Sequence, residues 1–444
     1  MPLELRWFRD ADQLAKIRES ERRRFNTDTG LVDRIVDNDA LWRQAQFRCE
    51  QAKKEKNALS KVIGQKKKAK ENANEEMEKS KDLSEEIKAL EETQNSLKAS
   101  LATDLPKVGN LVHDSVVVSQ DEEKDNEVIA TFGETPSGDT FLPHHHLLWM
   151  IDGYEPERGV RVAGHRGYFL KGPGVMLNQA LIAYALQFLS KREYTPLQPP
   201  YFMRKDMMAG VAQLSEFDES LYHVGSSGDK TDDANDAYLI ATSEQPLCCY
   251  HKGEWLKEND LPIKYAGMST CFRKEAGKHG KDTWGIFRVH QFDKIEQFCL
   301  TAPDKSWEMM EEMRTASEEY LQSLGLPYRV VNIVSGELNL AAAKKYDIEC
   351  WFPGYGEFKE LVSCSNCLDY QSRAMDVRFG EVADKSHVHM LNSTLCALTR
   401  TICCILENYQ EKDGVRVPEV LVPFMGGTTF MPFTRSAPVT AETK

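Results

Sequence analysis

From Leu31 to Leu105 the chain runs 75 residues without a proline and with a single glycine, Gly64. Proline breaks helices and glycine weakens them, whereas this stretch is rich in Ala, Glu, Lys, Gln and Leu, all good helix formers. Leu83, Ile87, Leu90, Gln94, Leu97 and Leu101 recur at spacings of four and three. Leu41, Ala45, Arg48, Ala52, Glu55, Leu59 and Val62 repeat the spacing with poorer occupants. Each set reads as a heptad seam. The polar patch from Lys70 to Glu75 interrupts the apolar seam and can host a chain reversal. The pattern therefore predicts an antiparallel helical hairpin, a coiled-coil arm over about 38–102, with one long dimeric coiled coil as the alternative.

Charge is distributed unevenly. The chain carries a net charge of −13, which taken alone argues against a nucleic-acid partner. Yet residues 41–101 hold 14 basic and 11 acidic side chains, a net of +3 that leaves −16 for the rest. Lys53, Lys54, Lys56, Lys61, Lys66, Lys67, Lys68 and Lys70 fall within 18 residues. Such a run is either a solvated helix face or a phosphate-binding stripe. No stretch of about 18 apolar residues occurs, and the first ten residues lack a secretory h-region, so a cytoplasmic protein with no membrane partner is expected. The 11 cysteines include only one Cys-x-x-Cys, Cys364 to Cys367, so no zinc is expected.

Beyond Leu105 the texture changes. Residues 111–140 are short, polar and turn-rich, a linker or edge segment. From Phe141 strands and helices mix. Helical periodicity covers Gly174–Lys191, Lys305–Ser323 and Met390–Gln410. Strand patterns cover Tyr238–Ile240, Ile263–Met268, Gly285–Phe298, Tyr328–Val334, Tyr346–Phe352 and Phe358–Val362. Successive strands without crossover helices favour an antiparallel or mixed sheet. Residues 225–237 read as a surface insertion and 425–444 as a flexible tail.

No P-loop, GxSxG elbow or HExxH pair is present. His144, His145 and His146 sit in what reads as an extended segment, where neighbours point to opposite faces and cannot share one metal ion. Two apparent strands around Arg273–Glu275 and Arg288–Phe292 flank a Gly-rich loop, Gly277 to Thr283. A guanidinium can clamp phosphate, a carboxylate can accept from an exocyclic amine, and an aromatic ring can stack on a base. Cross-strand ion pairs around a core Phe explain the same residues. Thr242-Ser243-Glu244, Glu296, and Glu360-Leu361-Val362-Ser363 add oxygen ligands suited to a hard cation such as Mg²⁺. Asn392, Thr394 and Arg400 open an apparent helix.

These residues carry a resemblance. Ala241-Thr-Ser-Glu-Gln-Pro246, Phe272-Arg-Lys-Glu-Ala276 joined to Phe287-Arg-Val-His-Gln-Phe292, Glu360-Leu-Val-Ser-Cys-Ser-Asn366 and Met390-Leu-Asn392 continuing to Arg400 are similar to the motifs of cytosolic eukaryotic seryl-tRNA synthetases. The resemblance spans nearly the whole chain. It implies an α+β architecture: a tRNA-binding domain over 1–110 with its coiled-coil arm, and a class II catalytic domain over 141–424 built on an antiparallel sheet flanked by helices. It also implies a homodimer whose interface lies near Leu181–Pro200.

The activity implied is ATP-dependent ligation of L-serine to tRNA(Ser) through a seryl-adenylate, with room for serylation of a selenocysteine tRNA and with no DNA partner. A catalytically silent, synthetase-derived tRNA-binding protein is the alternative. By resemblance, serine meets Thr242, Ser243, Glu244, Arg273, Glu296, Asn392 and Thr394. ATP meets Arg273, Lys274, Glu275, Val289, His290, Gln291, Phe292, Glu360, Leu361, Val362, Ser363 and Arg400. Mg²⁺ falls to Glu360 and Ser363, and the tRNA variable arm to the lysines of 53–70. Trp284 departs from the pattern, standing where the family commonly has arginine.

Overall fold

The computed structural model describes residues 3–138, 140–211, 220–225, 236–275, 280–380 and 386–438. Most of the 225–237 insertion, part of the loop after Arg273 (276–279) and the end of the tail (439–444) lie outside them. The chain divides into two compact units, Met1–Leu111 and Val112–Lys444. Among the described residues no helix is long and apolar enough to cross a membrane.

In the first unit, two short helices, α1 (Leu5–Arg9) and α2 (Ala11–Arg23), precede two long ones, α3 (Leu31–Lys68) and α4 (Asn74–Asp104). Cross-helix partners step down on α4 as they step up on α3: Asn38 with Ser100, Lys53 with Glu91, Lys66 with Glu76. The hairpin is therefore antiparallel. Its reversal is closed by a Schellman pairing, with Glu71 N donating to Lys66 O at 2.9 Å, Lys70 N to Lys67 O at 3.2 Å, and Lys70 left-handed at φ 60.

The α4 seam follows the expected positions. On α3, Ala45, Ala52 and Leu59 face the partner as expected, but the alternate positions lie one residue further on, at Trp42, Cys49, Lys56 and Ile63. Leu41 and Val62 are instead 52% and 39% exposed. An apolar residue on each side of a true seam position makes the phase ambiguous from sequence. At the base of the hairpin, Asp39 is only 2% exposed. It accepts both terminal contacts of Arg9 (2.7 and 2.9 Å) and one from Arg43 (3.0 Å), which ties α1 to α3.

The second unit is built on a sheet in the spatial order β1-β5-β6-β7-β8-β4-β3-β2. Its strands are β1 (Glu127–Phe132), β2 (Thr195–Leu197), β3 (Ile263–Phe272), β4 (Gln291–Thr301), β5 (Tyr328–Asn332), β6 (Lys344–Phe352), β7 (Glu357–Asn366) and β8 (His389–Ala397). Every pairing is antiparallel except β2 with β3. Around it lie α5 (His144–Met150), α6 (Pro173–Ser190), α7 (Glu244–Tyr250), α8 (Ser306–Ser323) and α9 (Leu398–Asn408). The apolar faces of α5, α6, α8 and α9 share one core with the sheet, centred on residues such as Leu181, Ile295, Tyr320, Val362 and Ile402; α7 packs Leu247 and Cys248 into a second cluster with Phe298 and Met390.

Four expectations are corrected. Met390–Gln410 is a strand followed by a helix, because Asn392 to Cys396 are buried on both faces and a helical period cannot be told from a buried strand there. Strand β4 begins at Gln291, since positive-φ Gly285 and the turn after it hold 285–290 out of the ladder. The histidine triplet opens a helix, with Pro143 at its N-cap, instead of extending. Within 425–438, Phe430–Pro432 pairs with Gly414–Arg416 and Met431 is buried, so this part of the tail is held in the fold.

Asp39→Ala removes the acceptor of two arginines that are themselves half exposed, which tempers the loss. Urea unfolding should register about 2 kcal/mol of destabilisation. Asp39 titrates below the usual carboxylate range: burial opposes ionisation, and Arg9 and Arg43 outweigh it. Its contribution is therefore present above the unfolded carboxylate pKa and fades as pH falls through the folded value. The wild-type advantage over the variant should shrink in acid.

Candidate active site

One cavity of about 240 Å³ gathers most of the expected residues on the face of the sheet. Strand alternation explains how. Phe292, Lys294 and Glu296 lie at every second position of β4 and all line it. Opposite them β8 offers Asn392 and Thr394, and β7 offers Leu361, Ser363 and Ser365. The register between β4 and β8 slips between Ile295 and Glu296, where Leu395 is extra, so Glu296 faces Thr394. Bulges of this kind re-aim side chains beside sites. Across β3 the partner of Glu296 is Gly267. A Cβ there would meet Ser243 Oγ at 2.6 Å, so glycine makes the room in which Ser243 reaches Glu296.

Glu296 is buried and its oxygens are crowded with donors. Oε2 accepts from Thr242 Oγ1 (2.6 Å), Ser243 Oγ (2.6 Å) and the Glu244 amide (3.0 Å), while Oε1 accepts from Lys294 Nζ (2.8 Å). Lys294 Nζ also donates to Thr242 Oγ1 at 2.6 Å. Desolvation favours the neutral acid, yet Lys294 and the two hydroxyls outweigh it and hold Glu296 below the ordinary range. Nearby, Glu244 Oε1 accepts from Gln371 Nε2 (2.6 Å) and Asn392 Nδ2 (3.0 Å). Two carboxylates thus sit on one cavity wall, both ringed by donors.

The other walls are cationic and aromatic. Arg273 donates from Nε to Ala241 O at 3.2 Å and lies 5.3 Å from the Phe292 ring centroid. Its backbone is fixed against His290, whose carbonyl accepts from Arg273 N at 2.9 Å and whose Nδ1 donates to Arg273 O at 3.0 Å. Arg288 pairs with Glu275 at 2.9 Å. Arg400 donates to Glu360 O at 2.8 Å, approaches its carboxylate at 3.4 Å, and lies 4.9 Å from the Phe287 ring.

Glu360 is 47% exposed towards the cavity. Desolvation opposes its charge, and Arg400, Lys345 and Arg273 keep it below the usual range. Asp347, opposite Ser363 in the ladder, has one buried oxygen with no hydrogen-bond partner. Burial, only partly offset by Lys345, pushes its carboxyl up to about 7. An orphaned carboxylate oxygen beside Glu360 and Ser363 is a set of hard oxygen donors that suits a divalent cation. Among the described residues no group of three or more His, Cys, Asp or Glu could cage a metal unaided.

Of the expected site residues, Ser243, Lys274, His290, Gln291 and Val362 do not line the cavity. Val362 takes the opposite strand face and is buried, while Ser243 and His290 serve the residues that do line it. Sequence reasoning missed Lys294, Phe287, Asn339 and Thr399. The every-second-residue spacing of Phe292, Lys294 and Glu296 was the signal for the first.

A second buried charge pair braces the site from behind. His144 donates from Nδ1 to Glu407 Oε1 (3.0 Å) and from Nε2 to the Trp284 carbonyl (3.2 Å). Both partners can only accept, so both ring nitrogens carry hydrogen. The backbone amides of His144 and Gly354 donate to Glu407 as well, at 2.9 and 2.8 Å. Burial opposes the charge on His144, and the Cys403 sulfur and Glu407 outweigh it, raising the group to about 10. Glu407 and Arg400 share α9, so this pair joins that helix to the loop that carries Trp284. At Gly285 (φ +59) a Cβ would press on His145 at 2.8 Å and His144 at 3.1 Å, so the loop passes close only as glycine.

Residues 3–112 match the family described as the Seryl-tRNA synthetase N-terminal domain, and 224–409 the tRNA synthetase class II core domain (G, H, P, S and T). The chain is 54% identical to the cytoplasmic serine–tRNA ligase of Arabidopsis thaliana, covering 96% of this chain and 95% of that one. It is 52% identical to that of Dictyostelium discoideum over 95% and 92%. Among solved structures, the cytoplasmic serine–tRNA ligase of Naegleria fowleri in complex with AMP superposes with a TM-score of 0.85 at 44% identity, covering 98% and 99%. The seryl-tRNA synthetase of Pyrococcus horikoshii complexed with ATP gives 0.87 at 36%, covering 98% and 100%.

Glu407→Leu strands a buried imidazolium and two amides, so denaturant unfolding should show a loss of about 3–5 kcal/mol. Because His144 is raised from 6.5 to about 10, the wild-type advantage should be whole below pH 6.5 and decline as pH climbs towards 10.

Proposed function

This chain belongs to the seryl-tRNA synthetase family, and on that premise we propose that the cavity activates serine with ATP and passes the seryl group to tRNA(Ser). The enzyme is a class II serine–tRNA ligase. The observation that carries the site reading is the pairing, on one cavity, of Arg273 and Arg400 with the donor-ringed carboxylates Glu244 and Glu296. The arginines suit phosphates and a carboxylate, and the acids suit an amine and a hydroxyl. All of these are present, which disfavours a catalytically silent relative.

Serine's carboxylate is already ionised, so its attack on the α-phosphate needs no side-chain base. One carboxylate oxygen bonds to phosphorus as pyrophosphate leaves; a ribose hydroxyl of tRNA then takes the acyl carbon, and AMP leaves. The work left to the protein is orientation and charge neutralisation. In our reading Arg273 bridges the α-phosphate and serine carboxylate, Phe292 stacks on adenine, Glu275 and the Val289 backbone read its edge, and Arg400 takes the γ-phosphate. Glu360 and Ser363 would hold Mg²⁺, which neutralises phosphate charge when bound. Thr242 Oγ1 gives its own proton to Glu296, so towards a ligand it can only accept; that suits serine's ammonium group, beside Glu244.

On the arm, Lys53 and Lys66 are engaged by Glu91 and Glu76. Lys54, Lys61, Lys67, Lys68 and Lys70 are exposed and show no carboxylate partner among the described residues, which supports them as the phosphate-facing set, whereas Lys56 is half-buried in the seam against α4. Exposed apolar side chains around Leu197–Pro200, including Phe202 at 60% exposure, support a homodimer. The cytoplasmic naming of the relatives supports action in the cytoplasm.

Serine-dependent ATP–pyrophosphate exchange tests the activity: its absence at every magnesium concentration would end this reading. Trp284 is 44% exposed and meets His145 edge-on at 5.1 Å. We assign it a stacking contact with a terminal tRNA base. Trp284→Ala should slow seryl transfer about tenfold in single-turnover charging and leave exchange intact, since base–aromatic stacking contributes about 1–3 kcal/mol. Equal loss of both would count against that role. Replacing Lys54, Lys61, Lys67, Lys68 and Lys70 by glutamine should raise the KM for tRNA at least tenfold and flatten its salt dependence, with exchange unchanged.

A further inference from the structure

Lys294 is a buried cation with one hydrogen to spare. An ammonium group has three N–H donors and no acceptor. One goes to Thr242 Oγ1 at 2.6 Å and one to Glu296 Oε1 at 2.8 Å. The third meets no acceptor among the described residues, although the side chain is only 8% exposed and lines the cavity. Glu296 has the complementary surplus. Its Oε2 is saturated by three donors, whereas Oε1 accepts from Lys294 alone. Side by side, two residues apart on one strand face, the cavity floor therefore offers an open donor and an open acceptor.

A hydroxyl group is the small ligand that uses both, because its oxygen accepts while its hydrogen is donated. We propose that Lys294 is a specificity-determining residue of the serine site, donating its third hydrogen to the substrate hydroxyl oxygen while the hydroxyl proton goes to Glu296 Oε1. This rests on the serine-activating reading above and deepens it. Alanine would leave a buried ammonium hydrogen and a carboxylate lone pair both unmet. A site built to hydrogen-bond a hydroxyl rejects the analogue without one far more strongly than a hydrophobic pocket rejects a missing methylene. Threonine carries the same hydroxyl, so this device does not discriminate against it; shape must do so. The competing view is that Lys294 only keeps Glu296 ionised.

The two views separate in pyrophosphate exchange measured with serine, alanine and threonine. For Lys294→Met the ratio of kcat/KM for serine over alanine should fall about 100-fold. The serine-over-threonine ratio and the KM for ATP should each stay within about threefold of wild type. A charge-balancing role alone would depress all three amino acids together, so an unchanged serine-over-alanine ratio overturns the proposal. If Lys294→Met does not fold, Lys294→Gln, which keeps a neutral donor, should lose about tenfold in the same ratio, and no loss would again overturn it. Failure of the wild-type protein to exchange with serine would instead overturn the reading on which the proposal rests.

Discussion

A buried carboxylate kept ionised, Glu296, organises the catalytic face of this protein. Removing a carboxylate from water costs several kcal/mol unless it is paired and hydrogen-bonded. Here the pairing comes from Lys294 two residues along the same strand, and the hydrogen bonds from Thr242, Ser243 and the amide that opens α7. Two local features make room for this arrangement: glycine at 267, across from the carboxylate, admits Ser243, and an extra residue in β8 re-aims Glu296. The register of β3, β4 and β8 is thus tied to the charge state of one side chain.

Comparison with the other buried ion pair, His144–Glu407, separates structural from functional charge. Both pairs are buried, and in both an opposite charge outweighs desolvation, for the imidazolium of His144 and for the carboxylate of Glu296. What differs is residual bonding capacity. His144 spends both ring hydrogens, and Glu407 receives the ring and two amides, so that pair can join α9 to the Trp284 loop and do little else. Lys294 and Glu296 keep one donor and one acceptor open towards a cavity. Burial and a shifted pKa alone would not have told the two apart.

This difference also marks how far the sequence could be read. The arm, the strands β3 and β5 to β7, and the gathering of Arg273, Glu275, Glu296, Glu360 and Arg400 follow from periodicity and from motifs resembling a known family. Those patterns are local or shared. What escaped was set by neighbours remote in the chain. The phase of the α3 seam depends on which of Leu41 or Trp42 finds α4, and both are apolar. Residues 390–397 are buried on both faces, which erases the strand period. Lys294 was overlooked because a lysine in a strand ordinarily points to water, although its spacing of two from both Phe292 and Glu296 placed it on their face. His144 could not be paired with Glu407 across 263 positions by any sequence spacing.

The net charge of −13 invites the conclusion that phosphate-rich partners are repelled, and the structure shows why the sum misleads. In the proposed reading, the cations that meet phosphate occur in two physical settings. The exposed arm lysines stand in water on α3 and just past its end, where salt screens them and attraction acts over about a Debye length. Arg273 and Arg400 line a recessed cavity, backed by aromatic rings at 5.3 and 4.9 Å, where screening by mobile ions is weaker and geometry counts for more. The first setting suits a long, flexible polyanion recognised by shape; the second suits a triphosphate that must be held in one orientation. Acidic groups farther than about a Debye length from either set contribute little to the potential there. Where the acidic surplus is exposed it disfavours a polyanion, so in the proposed reading phosphate binding falls to the arm and the cavity.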